Sequence, residues 1–164
     1  MKTALAVFAC LLTFAATAEA AQPCVSCMKP IFAKMKKALE DKKEPLFAKQ
    51  WHAKGYAKNL VGGSGLAGKQ VYRQGSRKGW YLKADFSSLR SVPGRRGGPW
   101  IVRCDIWSPK RGHKVDEVWA LMVYLRKEKR SVILGAGEKL AQVNELGLRY
   151  VNKKPLAPPR KKRK

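Results

Sequence analysis

Acidic side chains are few in this chain of 164 residues: Asp and Glu number 11 against 35 Lys and Arg, a formal net charge of +24. That imbalance excludes a surface solubilised by interspersed charges of both signs, because so lopsided a set repels itself. A cationic field of this size draws anionic polymers and loosens its hold as salt rises. Histidine is scarce too, with His52 and His113 alone, which rules out a site built from several imidazoles. Of the four cysteines, Cys10, Cys24, Cys27 and Cys104, a single pair is closely spaced. Structural zinc sites use two such pairs, so neither a metal nor a cofactor is expected. No apolar run reaches the ~20 residues that a membrane-spanning helix needs.

Residues 1–20 open with Lys2, run through the apolar stretch Ala4 to Leu12 and close on Ala18-Glu19-Ala20. A cationic start, a short apolar segment and a small-x-small end are the parts of a secretory signal. A secreted or periplasmic location follows, with a retained N-terminal anchor as the other reading. Residues 21–152 then form a single α+β domain, of a size that one core serves. With 45% hydrophobic residues, five Trp and five Phe, the chain can bury a core despite its charge. Residues 153–164 read as a basic disordered tail: Pro155, Pro158 and Pro159 end regular structure, and Arg160, Lys161, Lys162, Arg163 and Lys164 follow.

Cys10 leaves with the signal, so three cysteines remain and cannot all pair internally. A disulfide between Cys24 and Cys27 is expected in an oxidising compartment. Pairing of either with Cys104 is the alternative. A redox pair at a helix start, where the dipole lowers a thiol pKa, is a third reading, although only Ala21-Gln22-Pro23 stand where a thioredoxin places a buried strand.

Met28, Ile31, Phe32, Met35 and Leu39 recur at helical spacing with Lys34, Lys36 and Lys37 on the other side, which predicts an amphipathic helix from Cys27 to Lys42. Pro45 suits the first position of a second helix that Gly55 stops. Tyr56 to Val61 reads as a short strand, Gly62-Gly63-Ser64-Gly65 as a turn and Lys69 to Gln74 as a brief helix. From Gly79 to Phe86 and from Trp100 to Trp107 the period changes to two, the mark of half-buried strands. Ser91 to Pro99 is a loop rich in turn formers. Val115 to Leu125 and Arg130 to Leu134 complete the strands, and Glu138 to Tyr150 is a closing helix. The fold class is α+β: N-terminal short helices packed on a curved antiparallel sheet, then a C-terminal helix and the tail.

Two nucleotide-binding fingerprints occur and fail on context. Gly63 to Gly68 satisfies G-x-G-x-x-G, but strands joined by short turns follow it rather than βαβ units. Gly63 to Lys69 satisfies G-x-x-x-x-G-K, yet Gln70 stands where a P-loop needs a hydroxyl for magnesium. The glycines read as a tight turn before a helix, and their amides with Lys69 as an anion nest at most.

Phe47 to Tyr56, Gly65 to Lys69 ahead of the third helix, and Val115 to Leu121 in the sheet together resemble the nuclear-transport-factor-2-like family, the cone-shaped α+β group with ketosteroid-isomerase and polyketide-cyclase relatives. The resemblance covers Ile31 to Gly137. It implies a conical pocket between helices and sheet, occupied in some members by a catalytic Asp or His.

On that basis His52, between Trp51 and Tyr56, is the catalytic candidate, with Asp85, Asp105, Asp116 or Glu117 as partner, and Asp105 the second candidate. The plainer reading makes His52 a solvent-facing residue on a basic helix end and Asp105 the ion-pair partner of Arg103 or of a lysine on a neighbouring strand. The basic residues cluster around Lys34, Arg77-Lys78, Arg95-Arg96, Lys110-Arg111, Arg126-Lys127 and the tail, with Trp80, Tyr81, Trp100 and Trp107 among them, a mixture that suits phosphate contact with stacking. The expected polyanion-binding residues are Arg95, Arg96, Lys110, Arg111 and Arg160 to Lys164. The expected partner is an anionic polymer: nucleic acid, acidic polysaccharide, lipopolysaccharide or an anionic membrane surface. Pro158 to Lys164 also resembles a nuclear-localisation signal, which would suit a secreted effector.

Overall fold

The computed structural model describes residues 24–93 and 98–156. Three helices lead: α1 (Val25–Glu40), α2 (Glu44–Ala48) and α3 (Ala53–Ala57). The two-residue strand β1 (Gly65–Leu66) and α4 (Gly68–Lys78) follow, then β2 (Tyr81–Ser91), β3 (Trp100–Ser108), β4 (His113–Leu125), β5 (Arg130–Gly137) and α5 (Leu140–Val151). The five strands make one antiparallel sheet in the order β1-β5-β4-β3-β2. The α+β class is thus as the sequence implies, and β2 to β5 follow one another as an antiparallel meander.

Each face of the sheet has its own core. On one side α1, α2 and α4 press Met28, Phe32, Met35, Phe47, Trp51 and Val71 onto Val102, Cys104, Val118, Met122 and Ile133. Phe47, Met122 and Ile133 are fully buried there. On the other side Val143 and Leu146 of α5 cover Ile101, Leu121, Val132 and Leu134. Large side chains therefore fill much of the space between these helices and the sheet.

Several boundaries differ from the sequence reading, each for a local reason. The first helix stops two residues early, because Lys42 takes a left-handed φ of 54°. The second expected helix is broken in two. After a turn at Lys49 and Gln50, Trp51 bridges to β5, where the Ile133 amide donates to the Gln50 carbonyl at 3.0 Å and the His52 amide donates to the Ile133 carbonyl at 2.8 Å. An unpaired strand edge needs such partners more than a helix needs one further turn.

The strand expected over Tyr56 to Val61 is absent. Tyr56 belongs to α3, and the Asn59 side chain accepts from the Val61 and Gly62 amides, both at 3.0 Å, an Asx turn that competes with strand pairing. Gly65 and Leu66 pair with Gly137 and Ala136 instead.

Strand β2 continues past Phe86, where the alternation breaks, because the register shifts between Asp85 and Arg90. Ser88 bridges that shift, its hydroxyl donating to the Asp85 carbonyl at 2.6 Å and accepting from the Arg103 amide at 2.8 Å. Cys24 and Cys27 form the expected disulfide, and Cys104 is free and fully buried. The first residues of the expected tail are held: Arg149, itself buried, donates to the Leu156 carbonyl at 2.9 Å and to the Leu60 carbonyl at 3.0 Å. Among the described residues no helix is long and apolar enough to cross a membrane.

Candidate functional site: a cationic groove at one end of the sheet

Helix α4 ends at Gly79, whose left-handed φ of 70° suits glycine and turns the chain sharply into β2. Arg77 and Lys78 are left exposed on the last turn. Across from them the β3–β4 turn is tied by the Arg111 and Gly112 amides donating to the Ser108 carbonyl at 3.2 and 2.9 Å, and it holds Lys110 and Arg111 out in solvent. The two cationic pairs meet: Lys110 Cε lies 3.8 Å from where a Cβ on Gly79 would stand.

Between them lies a cavity of about 570 Å³. Leu66, Ile106 and Val118 form its apolar floor, Trp80 a wall and the exposed Val115 part of its rim. The Lys78 ammonium sits 5.8 Å over the Trp80 ring. Among the described residues, none of Arg77, Lys78, Lys110 and Arg111 is in an ion pair. Two carboxylates, Asp116 and Glu138, share the groove. They are the described acids that lack both an ion-pair and a tyrosine partner, so the groove keeps an excess of two positive charges among free groups.

A second array lies on the α5-bearing face, on β2, β3 and β4. Asp85 accepts from Arg103 at 2.5 Å, and Arg103 lies 4.0 Å from Glu117. Lys114 reaches Glu117 at 2.6 Å and Asp105 at 2.8 Å. Its pKa is raised by those two hydrogen bonds, and that of Asp85 is lowered by bonds from Ser87 and Arg103. Lys83 covers the Trp107 ring at 4.9 Å and Arg90 the Trp119 ring at 4.7 Å. This face is largely self-neutralised, since its acids already hold its cations.

The two catalytic candidates stand apart from each other and from the groove. His52 is the N-cap of α3, with Nδ1 accepting from the Lys54 amide at 3.2 Å. A neutral ring so used carries its proton on Nε2 and engages its Nδ1 lone pair in the helix cap. Burial, then Lys54, lowers its pKa, against a smaller opposing effect of Glu128. No described hydrogen bond or ion pair joins His52 to Asp85, Asp105, Asp116 or Glu117, and Asp105 is bound to Lys114 as the plainer reading has it. His113 lies in the β3–β4 region with Nδ1 2.8 Å from the Arg111 carbonyl. Burial pushes the Cys104 thiol well above its ordinary pKa, which leaves it unreactive. Among the described residues no group of three or more His, Cys, Asp or Glu is placed to hold a metal.

Of the expected polyanion contacts, Lys110 and Arg111 lie on the groove, whereas Arg95, Arg96 and Arg160 to Lys164 lie outside the described residues. Arg77 and Lys78 join Lys110 and Arg111, which the separation of the two clusters in sequence concealed. The tryptophans divide: Trp51 is core, and Trp80, Trp100, Trp107 and Trp119 are half-buried. No family model matches the chain, and searches of curated proteins and of solved structures found no match either.

Proposed function

We propose that this chain is an exported, non-enzymatic module that binds an anionic polymer, and that single-stranded nucleic acid is the polymer its groove suits best. The observation that carries the reading is the convergence, from two separate elements on one apolar-floored groove, of four exposed cations that are in no ion pair among the described residues. Such cations fix a backbone of phosphates, and Trp80 with Leu66, Ile106 and Val118 offers an unstacked base an apolar seat. Asp116 and Glu138 suit the exocyclic amino groups of bases, a partner that a sulfated or carboxylated sugar chain lacks. The resemblance to the cone family fits helices laid on one face of an antiparallel sheet.

A second reading is a small-molecule binder of the cone family. It is favoured by the groove lying on the helix-bearing face of the sheet, where Ile106 and Val118 belong to the same core as α1.

The test is fluorescence anisotropy of a labelled single-stranded oligonucleotide with the purified protein over a range of salt. Affinity that falls steeply with salt is expected, with heparin, duplex DNA and anionic vesicles competing less well at equal charge. Affinity indifferent to salt overturns the polyanion reading. Equal competition by heparin or by vesicles removes nucleic acid as the preferred polymer.

A further inference from the structure

The disulfide of the first helical turn has a chemistry that polyanion binding leaves unused. Cys24 and Cys27 are both exposed, and the bridge between them ties no second element to α1. The turn it closes is already held without it, since the Cys27 and Met28 amides donate to the Cys24 carbonyl at 3.0 and 3.2 Å. A loop this short also constrains the unfolded chain less than a longer one would. The two sulfurs have different surroundings. Cys27 lines a cavity of about 610 Å³ between α1 and the β4–β5 turn, walled by Pro30, Lys34, Tyr124, Lys129 and Arg130. Cys24 Sγ instead lies 3.4 Å from Ser26 Oγ.

We propose that the Cys24–Cys27 disulfide is a stoichiometric thiol–disulfide exchange site, separate from polyanion binding, that oxidises one dithiol per chain in an acidic peptide laid in this groove. Lys34 and Lys129, which are in no ion pair among the described residues, draw the substrate thiolate to Cys27. The thiolate attacks Cys27 Sγ, a bond forms between the substrate sulfur and Cys27, and the Cys24–Cys27 bond breaks with its electron pair on Cys24. The Ser26 hydroxyl donates to the departing Cys24 thiolate, and exchange is faster the better its leaving thiolate is stabilised. The second substrate thiolate then attacks the substrate sulfur of the mixed disulfide and expels Cys27. The substrate leaves as a disulfide, two electrons poorer, and its two thiol protons end on Cys24 and Cys27 or in solvent. Cys104, fully buried on β3, takes no part.

The experiment mixes the purified, oxidised protein with a synthetic fluorogenic peptide carrying two cysteines and Asp or Glu around them, at neutral pH without oxygen. One peptide disulfide per protein molecule is expected, formed at least about tenfold faster than by an equal concentration of oxidised glutathione, a margin of the kind that leaving-thiol stabilisation provides. Acid quenching early in the reaction, followed by mass mapping, should find the peptide on Cys27. Ser26→Ala should slow the reaction several-fold. Lys34→Glu with Lys129→Glu should slow oxidation of the acidic peptide several-fold more than oxidation of dithiothreitol, and equal slowing of the two would show that the lysines do not hold the peptide. A rate no greater than that of oxidised glutathione, or a peptide captured on Cys24, overturns the proposal.

Discussion

Substituting Arg77, Lys78, Lys110 and Arg111 together by glutamine should flatten the salt dependence of nucleic-acid binding by an amount the groove fixes in advance. Each of these side chains is exposed and free of any ion pair among the described residues, so each can neutralise one phosphate and release its counterion. For a single strand the slope of log affinity against log salt is roughly −0.7 per neutralised phosphate, and four contacts give about −3. Raising salt fourfold, from about 50 to about 200 mM, therefore costs roughly fiftyfold in affinity through the groove alone. The assay is anisotropy of a labelled single strand with the parent chain, the fourfold variant and a chain lacking Arg160 to Lys164, each titrated at several salt concentrations. The variant should lose about three units of slope whether or not the tail is present. Because the four residues support no packing in the core and repel one another across the groove, its thermal midpoint should not fall. A variant slope within about half a unit of the parent's would refute the assignment of the groove, and loss of the whole slope on tail deletion would move the contacts to the tail.

Three further outcomes follow from the fold. His52 has a folded-state pKa below the ordinary 6.5, so between that value and the folded one the unfolded chain binds the extra proton. Stability is then full above about pH 6.5 and falls as pH drops toward the folded pKa; His52→Asn, which keeps a capping oxygen, should narrow the gap between urea midpoints measured at about pH 7.5 and about pH 5.5. Gly55→Ala should destabilise by about 1–3 kcal/mol in urea unfolding, the reverse of the usual helical gain, because the new Cβ would stand 1.9 Å from the Leu134 carbonyl oxygen; a more stable variant would show that α3 is not pressed on β5. Arg149→Met should cost about 1–3 kcal/mol in the same assay, since it strips the Leu60 and Leu156 carbonyls of their buried donor; an unchanged midpoint would show that water replaces the guanidinium.

The sequence reading succeeded where one periodicity ran uninterrupted. Trp100 to Trp107 alternates because it has one face on the α1 core and the other on polar groups or α5, and α1 shows a single apolar stripe because one face of it packs on the sheet. It failed where a distant partner decided. Nothing in Gln50-Trp51-His52 says that Ile133 of β5 will offer an open edge, and the serines of β2 look like loop residues until Ser88 is seen to bridge Asp85 and Arg103.

The groove was half legible in the same sense. Both cationic pairs were visible as clusters, and what brings them together is the register of two strands. Tyr81 lies opposite Trp107, so the residues just before β2 and just after β3 arrive at one end of the sheet, with Arg77-Lys78 on one side and Lys110-Arg111 on the other. Like charges set across from one another are destabilising, and the two acids of the groove, Asp116 and Glu138, are too few to cancel four cations. An arrangement that repels itself when empty is relieved by an anion, and the register that creates the repulsion also opens the apolar floor on which such an anion can rest.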